Sequence, residues 1–127
     1  MDEPGGAEHA LLPDTEDSKH DSARINCLWG SFLAGVWGNE FYFGYAHPHS
    51  DLTCQDFRTR DLFWNQCKYL LDFFEENAIQ VAETENFTNL VQKGDYCLAN
   101  PGKMYIVFLK SGSGTINLEN QSGEYSI

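Results

Sequence analysis

Apolar residues recur at Ile25, Leu28, Trp29, Phe32, Leu33 and Val36, spaced i, i+3, i+4, i+7, i+8 and i+11, which is one unbroken helical stripe. A stripe of this kind needs an apolar partner. The partner offered next in the chain is Glu40-Phe-Tyr-Phe-Gly-Tyr45, too short for a helix, rich in β-favouring aromatics and nearly continuous in its apolar character. Such a run predicts a strand covered on both faces, as in a parallel sheet. Ala46 to Thr53, with His47-Pro48-His49-Ser50-Asp51, is then expected as a polar loop at the strand's C-terminal end, the functional edge of an α/β sheet. From about Asp56 to Asn77 a second helix is expected. Phe63, Cys67, Leu70 and Phe74 form its stripe, and Phe57, Trp64 and Leu71 lie beside it at spacing seven. Arg58, Arg60, Asp61, Lys68, Asp72, Glu75 and Glu76 read as its solvent side, and Asn77 as its C-cap.

Helix, strand, loop and helix cannot close a sheet alone, so the sequence predicts part of a larger α/β assembly. Residues 1 to 21 offer no further strand, because Pro4-Gly5-Gly6, Pro13 and the acids from Asp14 to Asp21 read as a solvated loop. Asp21 or Ser22 is the expected N-cap of the first helix. Gly30, Gly35 and Gly38 each cost roughly 1 kcal/mol where they are interior to a helix. They are expected to mark close packing or, for Gly38, the helix stop.

After residue 78 the pattern changes. Tyr96 to Ala99, Met104 to Leu109, Thr115 to Leu118 and Glu124 to Ile127 are short strand-like runs. They are separated by Asn100-Pro101-Gly102, a type II turn signal, by Ser111-Gly-Ser-Gly114 and by Gln121-Ser-Gly123. The expected architecture is therefore α/β over residues 1–78 followed by all-β antiparallel hairpins over 79–127, up to half of a β-sandwich. The C-terminal sheet edge reads as a truncation.

Composition narrows the partners. Nineteen acidic against eight basic residues, a formal charge of −11, leave no clustered Lys and Arg for phosphate contacts, so nucleic acid and anionic membranes are not expected as partners. No apolar run approaches the length of a membrane span. Cys27, Cys54, Cys67 and Cys97 are widely spread without a Cys-x-x-Cys, and unpaired thiols are favoured over a disulfide set. Asn86-Phe-Thr88 and Asn120-Gln-Ser122 match the glycosylation sequon, a pattern short enough to arise by chance.

Trp29-Gly-x-x-x-Ala-Gly35, Glu40-Phe-Tyr-Phe-Gly-Tyr45, Asp51-Leu-Thr-Cys-Gln-Asp56-Phe-Arg-x-Arg-Asp61 and Leu71-Asp-Phe-Phe74 together resemble the end of the catalytic barrel in apiosidase-like glycoside hydrolases. Asp95-Tyr-Cys-Leu-Ala-Asn-Pro-Gly-Lys-Met-Tyr-Ile-Val-Phe-Leu109 resembles the module that follows that barrel, the collagen-binding domain of a collagenase. The resemblance covers nearly the whole chain. It implies the last helix–strand–helix units of a (β/α)8 TIM-type barrel followed by the first strands of a C-terminal β-sandwich. It also implies that the parent protein is secreted or periplasmic.

In that pattern the seventh strand ends in an Asp-Glu pair whose Glu is the nucleophile, and Asp2-Glu3 stands in its place. The acid/base carboxylate belongs to an earlier strand absent here. A retaining glycosidase needs two carboxyl groups about 5–5.5 Å apart, so Glu3 alone is not expected to hydrolyse anything. Tyr42, Phe43 and Tyr45 are the candidates for stacking on sugar, ahead of Trp29, Trp37 and Trp64, two of which lie on helical stripes. Tyr42, Tyr45, His47, His49 and Asp51 form the candidate substrate-binding set. His47-x-His49-x-Asp51 has the composition of a zinc site but lacks the further protein ligands zinc usually takes, so no metal and no cofactor are expected. The expected partner is a carbohydrate or a collagen-like ligand. The alternative is a stand-alone collagen- or glycan-binding module with no enzymatic role.

Overall fold

A computed structural model describes residues 11–41, 45–47, 50–54, 56–119 and 121–126. The protein is a mixed α/β structure whose described residues form two compact units, one running through Ser31 and resuming over Val36–Ile79, the other made of Phe32–Gly35 and the chain from Gln80.

The predicted first helix is present in an unexpected form. Ala23–Trp29 winds as a π-helix and continues into a single α-helical turn, α1 (Gly30–Leu33). The wide winding is visible at the junction, where the Gly30 amide donates to the Ile25 carbonyl five residues back. Ser22 has helical backbone angles and makes no side-chain cap, so neither expected N-cap acts as one there. Gly35, at φ +89°, ends the element in place of the expected Gly38. The Val36 amide donates to the Ser31 carbonyl and the Gly35 amide to Phe32, the paired bonds of a Schellman stop, which requires a left-handed residue at Gly35.

α2 (Asp61–Glu76), preceded by a 3-10 turn over Phe57–Arg60, matches the second predicted helix. Asp56 opens the turn by accepting the Arg58 amide at 3.0 Å. The far end repeats the Schellman pattern, with the Ile79 amide donating to Phe74 and the Ala78 amide to Glu75. Here the left-handed position, φ +49°, is held by Ala78 rather than a glycine. Phe63 and Leu70 are buried, while Phe57, Leu71, Leu62 and Tyr69 stand exposed. The buried face is therefore narrower than expected, with Phe57 and Leu71 left outside it.

The strand expected over Glu40–Tyr45 is not a parallel-sheet strand. Glu40 and Phe41 carry no strand, residues 42–44 lie outside the described set, and Tyr45 begins an antiparallel hairpin of β1 (Tyr45–His47) and β2 (Ser50–Cys54). Tyr45 lies opposite Cys54 and His47 opposite Ser50, with a bulge between them. Apart from residues 48 and 49, which lie outside the described set, the expected loop thus belongs to these two strands. A parallel partner would need a long crossover, whereas a nearby antiparallel return satisfies the backbone locally.

In the second unit β4 (Tyr96–Asn100) lies between β3 (Glu85–Asn86) and β5 (Met104–Phe108), all antiparallel. Cys97, Leu98 and Ala99 of this central strand are fully buried, so both faces of the strand are covered here. Gly102 takes φ +80° and the Lys103 amide returns to the Asn100 carbonyl at 3.0 Å, the turn its Pro-Gly sequence predicts. The next two expected strands do not extend this hairpin series. Ile116 makes only a bridge to Val91, and residues 124–126 form no strand. The Asn117 amide donates to Leu90, so the polar Ser-Gly-Ser-Gly run carries the chain past β5 to an earlier segment.

Among the described residues no helix is long and apolar enough to cross a membrane. Cys27, Cys67 and Cys97 are free thiols, and burial pushes those of Cys67 and Cys97 up to about 11.

Candidate functional site

Of the sequence-predicted site, Glu3, Tyr42 and His49 lie outside the described residues, as does Phe43. The backbone of Tyr45, His47 and Asp51 is described, and the hairpin brings these residues onto one two-stranded ribbon, Tyr45 and His47 on β1 and Asp51 on β2. Trp29 meets Phe73 edge to face at 5.8 Å, and the Trp64 indole donates to the Phe57 carbonyl at 2.7 Å, so both are structural. Trp37 is 76 % exposed.

The chain entering the ribbon is anchored through Phe41, whose ring meets Phe63 at 4.8 Å. On the chain after it, the Asp56 carboxylate accepts from the exposed Arg58 side chain at 2.5 Å. Hydrogen bonds from the Arg58 side chain and amide hold Asp56 below the usual carboxylate range against a small burial penalty. Phe41, before the ribbon, thus packs against Phe63 of α2, and Asp56, after it, opens the 3-10 turn that leads into the N-terminal end of α2.

That end carries a polar cluster around three residues, Asp14, His20 and Arg60. Arg60 is 2 % exposed and its Nε donates to the Leu11 carbonyl at 2.9 Å. His20 is equally buried, lies edge-on to Phe63 and donates from Nε2 to an Asp14 oxygen at 2.8 Å. The other Asp14 oxygen accepts the Leu62 amide at 3.1 Å, capping α2 from 48 residues upstream. Burial disfavours the Asp14 carboxylate. The His20 and Leu62 hydrogen bonds, helped by the charges of His20 and Arg60, outweigh that and hold it below its ordinary value. The Arg60 guanidinium is lowered by burial, opposed by the carboxylates of Glu16 and Asp14.

The segment 14–21 is therefore not simply a solvated surface, and Arg60 does not belong to the solvent side of α2. Counting back from Phe63, Cys67, Leu70 and Phe74 by one further turn lands on Arg60, so helical spacing carried the signal for its burial. No local pattern marks His20. Chemically the cluster is a carboxylate–imidazole pair whose imidazole is sealed from solvent, which suits it to orienting a loop rather than to exchanging protons with a substrate. Among the described residues no group of three or more His, Cys, Asp or Glu could hold a metal ion.

No protein-family model, no curated protein and no solved structure matches the chain.

Proposed function

We propose that the chain is the C-terminal part of a glycoside hydrolase-like protein, joining the last helices of a (β/α)8 barrel to the beginning of a β-sandwich that binds carbohydrate or a collagen-like ligand. One observation carries this reading: the order of the motifs from Trp29-Gly-x-x-x-Ala-Gly35 through Asp56-Phe-Arg-x-Arg-Asp61 to Asp95–Leu109. The two helices at the expected places and the antiparallel sheet of β3 to β5 support it. The β1–β2 ribbon does not, because a barrel strand has parallel neighbours, so the support is confined to the elements on either side of it.

In this reading Glu3 is the nucleophile and Tyr42, Tyr45, His47, His49 and Asp51 contact the sugar. The second carboxylate comes from elsewhere in the parent, and the 127 residues alone do not turn over a glycoside. Sequencing the genomic DNA on both sides of this reading frame tests the proposal. Upstream barrel strands with a second carboxylate are expected, and their absence overturns it, as does hydrolysis of aryl glycosides by the purified chain.

A stand-alone binding module is the second reading. It is favoured by the separate core of the second unit, where Leu33, Cys97, Leu98, Ala99 and Ile106 are buried. Retention on collagen or on insoluble polysaccharide, with no upstream barrel in the gene, would establish it.

A further inference from the structure

One face of α2 has the makings of a ligand site that neither reading uses. Leu62, Asn65, Gln66 and Tyr69 recur at i, i+3, i+4 and i+7, so they share a face of the helix. That face forms one wall of a cleft of about 490 Å³ whose other wall is the segment carrying Ser18, Lys19, Asp21 and Arg24. The volume lies within the usual range for small-ligand sites, roughly 300–1,000 Å³.

We propose that this cleft binds a neutral pyranose, one or two rings of a saccharide, with Tyr69 as the stacking surface and the Asn65 and Gln66 amides as partners for its hydroxyl groups. A sugar ring presents an apolar C–H face and a rim of hydroxyls, each of which both donates and accepts. Tyr69 lines the cleft, is 55 % exposed and supplies its aromatic ring. Each amide supplies a donor and an acceptor, matching hydroxyl chemistry better than anion chemistry.

Charge decides against an anion. The Arg24 guanidinium is already committed to Asp21 at 2.6 Å, so one lysine is left to face the ligand, in a chain of net charge −11 that repels anions.

The cleft is also preformed. Asp14 binds both of its walls with one carboxylate, one oxygen on the Leu62 amide of α2 and the other on His20, which stands between Lys19 and Asp21. Little ordering remains to be done when a ligand enters, which is the condition under which a shallow polar cleft achieves measurable affinity. The inference rests on this cleft and not on the barrel reading.

Titrating the full chain with methyl hexopyranosides and neutral disaccharides, followed by amide NMR, tests it. Saturable shifts are expected at residues 18–24, Leu62, Asn65, Gln66 and Tyr69, unchanged when salt is raised. Tyr69→Ala should weaken binding by roughly fivefold to tenfold, while Tyr69→Phe, which keeps the ring face, should stay within about threefold. Tyr69 is exposed, so neither variant threatens the fold. Sodium sulfate reproducing the shifts in a salt-sensitive way, saccharides leaving these residues unmoved, or Tyr69→Ala binding as the parent does would each overturn the proposal. None of these outcomes reads hydrolysis, so the proposed function stands or falls separately.

Discussion

The two units use the same device at very different reach. In each, a shielded aspartate accepts a backbone amide and so fixes one segment against another. Asp95, 3 % exposed, accepts the Lys110 amide at 2.9 Å across 15 residues, tying the start of β4 to the residue just beyond the β4–β5 hairpin. Asp14 accepts the Leu62 amide across 48 residues, and its second oxygen is taken by buried His20. Among the described residues the second Asp95 oxygen has no partner. The sheet unit thus carries its aspartate as an addition to a hairpin that already holds itself together, whereas in the helical unit the aspartate is the joint.

The largest effect that could break this contrast lies in the sheet core. Leu98→Ala empties a fully buried site on the central strand and should cost about 2–5 kcal/mol, read as loss of amide protection across β4 and β5. The same variant should let the Cys97 thiol react with alkylating reagents, from which it is otherwise shielded by complete burial. Retained protection would mean that the sheet is not held by its own core.

Asp14→Ala should come next, at about 2–3 kcal/mol, because it removes a helix cap and strands a buried imidazole. Its pH signature is specific. The Asp14 carboxyl lies below its ordinary value of 3.8 in the folded protein, so its contribution is complete above that value and disappears as pH falls through the lower folded value. The stability difference between parent and Asp14→Ala should therefore narrow in strong acid. A gap that stays constant down to the acid transition would remove Asp14 from its assigned role.

Asp95→Ala should cost about 1 kcal/mol or less, since the Lys110 amide it releases is on an exposed residue and the oxygen without a partner is removed with it. An Asp95 effect equal to that of Asp14 would erase the comparison. The smallest effect has the opposite sign. Ala78→Gly relieves a left-handed alanine and should raise stability by up to about 1 kcal/mol, seen as a higher Tm of the helical unit.

Legibility in the sequence follows the same division. The second helix was readable because Phe63, Cys67, Leu70 and Phe74 repeat at local spacing, and the β4–β5 turn because Pro101-Gly102 dictates its own backbone. The antiparallel ribbon was missed because Glu40–Tyr45 presents the composition of a covered strand, while pairing direction depends on what the chain does afterwards. The Asp14–His20–Arg60 cluster was missed because the segment carrying Asp14 and His20 lies far upstream of Arg60 and Leu62, and only the position of Arg60 on the extended stripe pointed toward it. The candidate set of Tyr42, Tyr45, His47, His49 and Asp51 came from composition and resemblance, and neither encodes register.

The remote cap on α2 also bears on the order of events during folding. The helix can form its middle and C-terminal turns from local contacts alone within about a microsecond. Its first turn, however, waits for a chain segment 48 residues upstream to arrive. The entropy of closing that loop must be met before the bond to Leu62 returns anything. Amide protection should therefore appear last at Leu62 within this helix, and the same amide should be the first to open in the native protein.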